Sequence, residues 1–215
     1  MIVDALVEQY LKELTPLSHP VLREMEAEAH QNGIPIIDRT ALNFIRVLLR
    51  VKGEVQRILE IGTAIGYSAA GLALASPQAH IDTIERDERW VRRAVEYFKR
   101  AGLSQRITVH HADALTYCHQ LKGMYDVIFI DATKRDYRRL FKQYAALLNP
   151  DGIIITDNVL FKGRVAGHPA ESRRLMVTAE ILNQFNRWLI SLEEFETSLV
   201  PIGDGLAISV KKRAL

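Results

Sequence analysis

Asp131 and Lys134 stand three residues apart, and the pair Asp157-Asn158 follows 26 positions after Asp131. Each motif comes directly after a short apolar run, Tyr125–Ile130 and Ile153–Thr156, that reads as a buried strand. In a parallel sheet those strand ends lie side by side. Two carboxylates and an amide oxygen then make a hard, incomplete oxygen set, suited to Mg2+ with water or substrate completing the shell. Asp131, Asp157 and Asn158 are the candidate metal ligands. With no soft ligand in the set, zinc is not expected. A lysine beside such a cation can take a proton from a hydroxyl, which makes Lys134 the candidate base. Taken singly, each motif has a plainer reading: an Asx pair closing a turn, or a strand-end acid facing solvent.

A second group lies earlier in the chain. The stretch Glu60-Ile61-Gly62-Thr63-Ala64-Ile65-Gly66-Tyr67-Ser68 follows a short apolar run and precedes a helix. Glycines at 62 and 66 allow a sharp turn and close approach to a ligand. The helix start beyond them offers unpaired N–H groups to a carboxylate or phosphate. The Gly-x-x-x-Gly spacing is not that of a dinucleotide site, which argues against a nicotinamide oxidoreductase. Glu85, 23 residues after Gly62, ends a second strand, where an acid can accept both hydroxyls of a ribose. Asp113-Ala114 follow a third strand, where an acid can accept from an adenine amino group.

These residues need a scaffold that gathers strand ends, and the hydrophobic rhythm supplies one. Helical spacing marks residues 2–14 (Val3, Leu6, Val7, Tyr10, Leu11, Leu14), 20–31 and 39–51. Strands are then expected at 57–61, 81–85, 107–111, 125–130 and 153–156. They alternate with helices at 67–75, 88–100, 115–122, 136–148 and 171–190, and 149–152 reads as a turn. Two last strands, about 194–202 and 206–212, form a hairpin around Gly203-Asp204-Gly205. Five alternating strands predict a parallel sheet with helices on both faces, and the hairpin adds an antiparallel edge. The reading is one α/β domain over 1–215, with 1–51 as a helical N-terminal extension.

Composition excludes several classes. The chain has 215 residues, 48% of them hydrophobic and 25% charged, so disorder and disulfide scaffolds are excluded. No apolar stretch is long enough for a membrane span. Asp4 and Glu8 interrupt the start where an export signal needs an apolar run. The single cysteine, Cys118, points to a reducing cytoplasm. The net charge is only +2, but residues 1–31 sum to −4 and residues 132–175 to +5. The plain reading is two solvated faces of opposite sign.

The phrase E-I-G-T-A-I-G-Y-S, with Glu85 ending the second strand, resembles the S-adenosylmethionine site of class I methyltransferases. Similarity is greatest to the metal-dependent O-methyltransferases of the catechol and caffeoyl-CoA type, whose D-x-x-K and D-N motifs match Asp131/Lys134 and Asp157/Asn158. The resemblance implies a Rossmann-like, mainly parallel seven-stranded sheet. It implies that Ile37, Glu60, Gly62, Ser68, Glu85, Asp113 and Ala114 hold the methyl donor, with Ser68 at its carboxylate. It gives Asp131 roles at the metal, at the donor and in catalysis, with Lys134 as the base. Tyr137 continues a Lys-x-x-Tyr spacing and reads as a packing residue. D-N-V-L-F-K-G-R-V-A (157–166) and P-I-G-D-G-L-A-I-S (201–209) resemble a bacterial branch that methylates 5-hydroxyuridine at the wobble position of tRNA. A homodimer is implied as well. On that reading Arg135, Arg138, Arg139, Lys162, Arg164, Arg173 and Arg174 meet RNA phosphates, and Phe161 or Tyr137 could stack on a base. A small catechol-like phenol or hydroxycinnamoyl-CoA ester is the alternative acceptor.

Overall fold

A computed structural model of the chain describes residues 4–17 and 19–213. Three helices lead: α1 (Ala5–Glu13), α2 (Pro20–Asn32) and α3 (Arg39–Lys52). Residues 2 and 3 of the expected first helix, Val3 among them, lie outside the described residues. Then come β1 (Arg57–Ile61), α4 (Tyr67–Ala75), β2 (His80–Glu85), α5 (Glu88–Arg100), β3 (Ile107–His111), α6 (Ala114–Tyr117) and β4 (Tyr125–Ile130). The chain closes with α7 (Tyr137–Tyr144), β5 (Leu148–Thr156), α8 (Arg173–Ile190), β6 (Phe195–Val200) and β7 (Leu206–Lys211).

The seven strands form one sheet in the order β3-β2-β1-β4-β5-β7-β6. The strands from β3 to β5 are mutually parallel, and β7 is antiparallel to both β5 and β6. This is the expected mainly parallel, Rossmann-like seven-stranded sheet. Strand order reverses between β1 and β4, and a crevice at such a switch point is where ligands bind.

Alternating strand residues feed two cores. Ile58, Ile81, Val127, Phe129 and Ile155 pack with α2 to α5 on one face. Leu59, Ile61, Ile128, Ile130 and Ile154 pack with α7 and α8 on the other. Strands buried on both sides read as continuous apolar runs, which is why the sequence displays them so clearly.

The acidic N-terminal segment is largely neutralised from within. Glu26 pairs with Arg39 at 2.6 Å, while Glu24 and Glu28 pair with Arg100 and Arg93 of α5. The negative excess of 1–31 is therefore in good part a clamp between helices, not a solvated face. α1 differs: Lys12 pairs with Glu8 and, at 3.2 Å, with Asp38, whereas Leu6, Tyr10 and Leu14 are exposed.

Four expected boundaries move. The turn expected at 149–152 belongs to β5, whose register against β4 shifts between Tyr125 and Val127. The Lys52 ammonium and the Asp126 carboxylate hold the resulting bulge at Asp151 O and the Asn149 amide, at 2.9 and 2.8 Å. The helix expected at 115–122 stops at Tyr117 and becomes a 3-10 turn, Cys118–Gln120. There Tyr144 Oη and Gln143 Nε2 donate to the carbonyls of Ala114 and Leu115, the groups a longer helix would use. The helix expected at 136–148 is α7 followed by a 3-10 turn at Ala145–Leu147, and the helix expected from 171 starts at Arg173, capped by Ser172. A further segment, Phe161–Ala166, coils in 3-10 turns broken by a left-handed kink at Lys162 and Gly163, which the sequence pattern does not announce.

One contact at the switch point admits only glycine. Gly62 has φ +97°, and a Cβ there would lie 2.0 Å from the carbonyl oxygen of Asp131. Gly62→Ala is therefore expected to destabilise the fold by more than about 2 kcal/mol, combining backbone strain with a clash against main chain. Urea unfolding of the variant measures this, and a midpoint equal to the wild type's would contradict the close approach.

Candidate active site

Three strand ends are brought into register by backbone hydrogen bonds. Gly62 N–H donates to Ile84 O at 3.0 Å, Asp131 N–H to Ile61 O at 2.9 Å, and Asp157 N–H to Ile130 O at 3.0 Å. Above them opens a cavity of about 430 Å³. Ile37, Gly62, Ser68, Glu85, Asp113 and Ala114 line its β1–β3 half, and Asp131, Lys134 and Asn158 line the β4–β5 half. Of the residues expected at the donor and metal, Glu60 and Asp157 do not line the cavity; both are buried beneath it.

Glu85 organises the donor half. One of its oxygens accepts from the N–H groups of Thr63 and Ala64 at 3.2 and 3.0 Å. The other accepts from Arg86 and Asp87 N–H at 2.9 and 3.0 Å. The carboxylate thereby fixes the glycine loop, including Ala64 in the left-handed region at φ +46°, while remaining on the cavity wall. Glycine at 66, φ +86°, lets α4 start against the Phe98 ring. Ala70 makes the first intrahelical bond of α4, back to Gly66 O. The earlier N–H groups of the turn are left to meet an anion.

Ser68 and Glu60 form a pair beneath the loop. The Ser68 hydroxyl donates to Glu60 Oε1 at 2.5 Å and the Thr83 hydroxyl to Oε2 at 2.6 Å. Burial pushes the Glu60 carboxyl up to about 8, against the lowering effect of these hydroxyls and with added repulsion from Asp131 and Glu85. Glu60 therefore supports Ser68 from below instead of touching a ligand.

The acceptor half carries the charge. Asp157 is buried, and desolvation together with the nearby Asp131 carboxylate holds its carboxyl well above the usual range. One Asp157 oxygen accepts from Asn158 N–H at 2.6 Å, and Asn158 sits in the left-handed region at φ +59°. Lys134 Nζ lies 3.2 Å from Asp131 Oδ1 and 5.6 Å from the Tyr137 ring centre. Tyr137 is fully buried, and its hydroxyl donates to Asp157 O at 3.0 Å, so it packs and braces the turn instead of stacking on a base. Among the described residues no three His, Cys, Asp or Glu side chains converge as a metal site. The set here is two carboxylates and one amide oxygen. Two acids forced together with an oxygen donor fit a hard divalent cation that keeps open positions.

The expected basic residues do not share one fate. Arg135, Arg173 and Arg174 are exposed, and among the described residues they have no ion-pair partner. Arg138 and Lys142 lie over the Trp188 ring at 5.0 and 5.6 Å, and Arg139 approaches Leu115 O. Lys162 is exposed. Arg164 is different: it pairs with Glu171 at 2.7 Å and lies over the Phe161 ring at 5.3 Å, so it and Phe161 are committed to each other. α8 packs against both basic segments through Lys134–Asp136 and Phe161–Ala166. Trp90, Tyr67 and Ile36 also line the cavity without having been foreseen. Trp90 had a signal, an aromatic in the first turn of the helix after Glu85.

Comparison with known proteins agrees with this geometry. Residues 12–212 match the family described as O-methyltransferase. A Staphylococcus aureus protein, provisionally named a caffeoyl-CoA O-methyltransferase, superposes with a TM-score of 0.90 at 35% identity, covering 96% of this chain and 99% of that one. The SAH-bound methyltransferase PaMTH1 of Podospora anserina superposes with a TM-score of 0.86 at 26% identity, covering 96% and 94%. Tapetum-specific methyltransferase 1 of Arabidopsis thaliana is 30% identical over 94% of this chain and 91% of its own length.

The buried Glu60 carboxyl has a consequence for stability. Its usual value is 4.5 and its folded value about 8. Between those values the folded chain keeps a proton that the unfolded chain releases. Stability must therefore fall as pH rises from about 4.5 to about 8, by up to about 1.4 kcal/mol per pH unit, and level off above. Glu60→Gln should remove that component of the slope. Urea unfolding of both proteins across this range tests it; parallel slopes would mean that Glu60 is ionised in place.

Proposed function

The chain belongs to the O-methyltransferase family, and from that premise we propose that it is an S-adenosylmethionine-dependent, Mg2+-assisted enzyme that methylates 5-hydroxyuridine at the tRNA wobble position to 5-methoxyuridine. The observation that carries the chemistry is the juxtaposition of Asp131, Asp157, Asn158 and Lys134 with the cavity bounded by Gly62 and Glu85. The SAH-bound relative supports the cofactor. S-adenosylmethionine supplies an electrophilic sulfonium methyl, and a divalent ion orients a hydroxyl with its neighbouring oxygen and makes that hydroxyl more acidic.

The chain's own residues do the rest. Glu85, on the cavity wall, is placed to accept the donor's ribose hydroxyls in three-centre bonds that share its oxygens with the four main-chain N–H groups fixing it. Asp113 and Ala114 flank the adenine, with Trp90 on the same wall. The first turn of α4 meets the donor's carboxylate, and Ile37 closes the opposite wall against water. Asp131, Asp157 and Asn158 provide the oxygens for the cation. Lys134 Nζ takes the proton from the acceptor hydroxyl. Holding donor and acceptor in one cavity makes the transfer effectively unimolecular, and that positioning supplies most of the acceleration.

The 5-hydroxyl and 4-carbonyl of 5-hydroxyuracil form a bidentate oxygen pair like that of a catechol. The exposed Arg135, Arg139, Lys162, Arg173 and Arg174 support an RNA acceptor, since phosphate contacts need cations not already spent on internal pairs. A second reading is favoured by the relatives' names: caffeoyl-CoA in the Staphylococcus aureus protein points to a hydroxycinnamoyl-CoA ester or small phenol. The exposed apolar stripe of α1, Leu6, Tyr10 and Leu14, supports the homodimer, which light scattering of the purified protein tests.

Two outcomes are expected. Asp131→Asn and Asp157→Asn should each lose at least about a hundredfold in methyl transfer, exceeding what removal of an outer-shell partner costs. Wild-type activity should disappear with chelator and return with Mg2+; full activity in chelator would end the metal reading. For the acceptor, a salt series with hydroxyuridine-containing tRNA should give a steep loss of affinity, about 0.7 in log–log slope per phosphate contact. The Arg135→Glu, Arg139→Glu, Arg173→Glu variant should flatten it. Turnover of a free catechol with none on tRNA would move the function to the second reading.

A further inference from the structure

Pro201–Gly205 joins β6 to β7, and its Asp204 reaches across to the segment that follows β5. Three main-chain groups of that segment end on this turn. Val159 N–H donates to Gly205 O at 3.0 Å and Leu160 N–H to Asp204 O at 3.1 Å. The Lys162 N–H donates to the Asp204 carboxylate itself. The clasped segment is unusual in its backbone: Asn158, Phe161 and Lys162 are non-glycine residues in the left-handed region, at φ +59°, +47° and +54°. Such conformations persist only where the surroundings over-determine them.

The approach is tight enough to dictate sequence. A Cβ at Gly205 would lie 2.8 Å from Leu160 N and 2.5 Å from Leu160 Cγ. From the opposite side, Asn186 Nδ2 donates to Val159 O at 2.8 Å and Tyr137 Oη to Asp157 O at 3.0 Å. Asp157-Asn158 are thus held between α7 and α8 on one side and the β6–β7 turn on the other. The same turn touches the donor side, since a Cβ at Gly203 would meet Asp38 and Ala41 of the segment beside Ile37.

We propose that Asp204 is a positioning residue for the acceptor half of the site: by accepting the Lys162 N–H it locks the 158–163 turn, and through it Asn158, which lines the cavity. The proposal rests on Asp157-Asn158 being cation ligands. Asp204 acts through the turn and not as a ligand, because its carboxylate is turned to the Lys162 main chain and does not line the cavity. A carbonyl oxygen can replace a carboxylate in that role, whereas a methyl group cannot.

The test compares wild type, Asp204→Asn and Asp204→Ala by three measurements on the folded full chain. Amide hydrogen exchange of residues 158–163 is read in metal-free protein; Mn2+ binding and S-adenosylhomocysteine binding are read by calorimetry. In Asp204→Ala the Lys162 amide should exchange at least about tenfold faster and Mn2+ should bind at least about tenfold more weakly, as loss of an outer-shell support does. S-adenosylhomocysteine affinity should stay within about threefold in both variants, because Glu85 and the glycine loop are untouched. Asp204→Asn should preserve exchange protection and Mn2+ affinity. Mn2+ binding lost equally in both variants with exchange protection intact would show direct action by charge and overturn the proposal. So would parallel loss of both ligands, which marks general destabilisation, or unchanged exchange in Asp204→Ala. A wild type that binds no Mn2+ would overturn the cation reading alone, and exchange in the metal-free protein would still decide whether Asp204 locks the turn.

Discussion

The site depends on one absence, the missing side chain at Gly62. Because nothing projects there, the turn after β1 can lie against the main chain of Asp131 at the end of β4. The two halves of the cavity are thereby fixed to each other through backbone, not through flexible side chains. On the proposed reading, the residues that would hold a methyl donor and those that would hold its acceptor then keep a set separation, and separation is what governs an in-line transfer. The ladder bonds from Asp131 to Ile61 and from Asp157 to Ile130 extend the same registration to β5.

Gathering strand ends also gathers carboxylates, and the fold treats each differently. Glu85 is satisfied by four main-chain N–H groups at the cavity wall. Glu60, sealed beneath the loop, escapes the cost of a buried charge by holding a proton, with two hydroxyls fixing its orientation. Asp157 accepts one backbone N–H, and burial in the field of Asp131 and Asp204 holds its carboxyl well above the usual range. Lys134 offsets part of that field but is shared with Asp131. A proton on Asp157 relieves two acids held this close, and on the proposed reading a divalent cation at the ends of β4 and β5 would do the same.

The sheet and the strand-end residues were legible because their causes are local. Strands buried on both faces show as apolar runs, and each of Gly62, Glu85, Asp131 and Asp157 follows such a run. The misses have non-local causes. The bulge in β5 is held by Lys52, 99 positions away, and no pattern near Asn149 announces it. α6 ends early because Gln143 and Tyr144 take its carbonyls. The 3-10 segment after Leu160 exists because the β6–β7 turn clasps it, with Asp204 42 positions from Lys162. Charge counting erred for the same reason. Glu24, Glu26, Glu28 and Arg164 look available in the sequence and are paired in the fold.

That distinction between spent and unspent charge bears on how one scaffold can serve different acceptors. The donor half is built from main-chain donors and a carboxylate locked by four bonds, so it has little freedom to vary. The acceptor half is bounded by the turn after β5, which the β6–β7 turn clasps, and by the surfaces of α7 and α8, whose exposed side chains, such as those of Arg139 and Arg173, lie outside that clasp. Changes there alter shape and charge without disturbing the registration at Gly62. The cations of α7 and of the start of α8 occupy this variable part. On the proposed reading, an acceptor's size and any phosphates would be met by side chains outside the group Asp131, Lys134, Asp157 and Asn158, so recognition can diverge while those four stay in place.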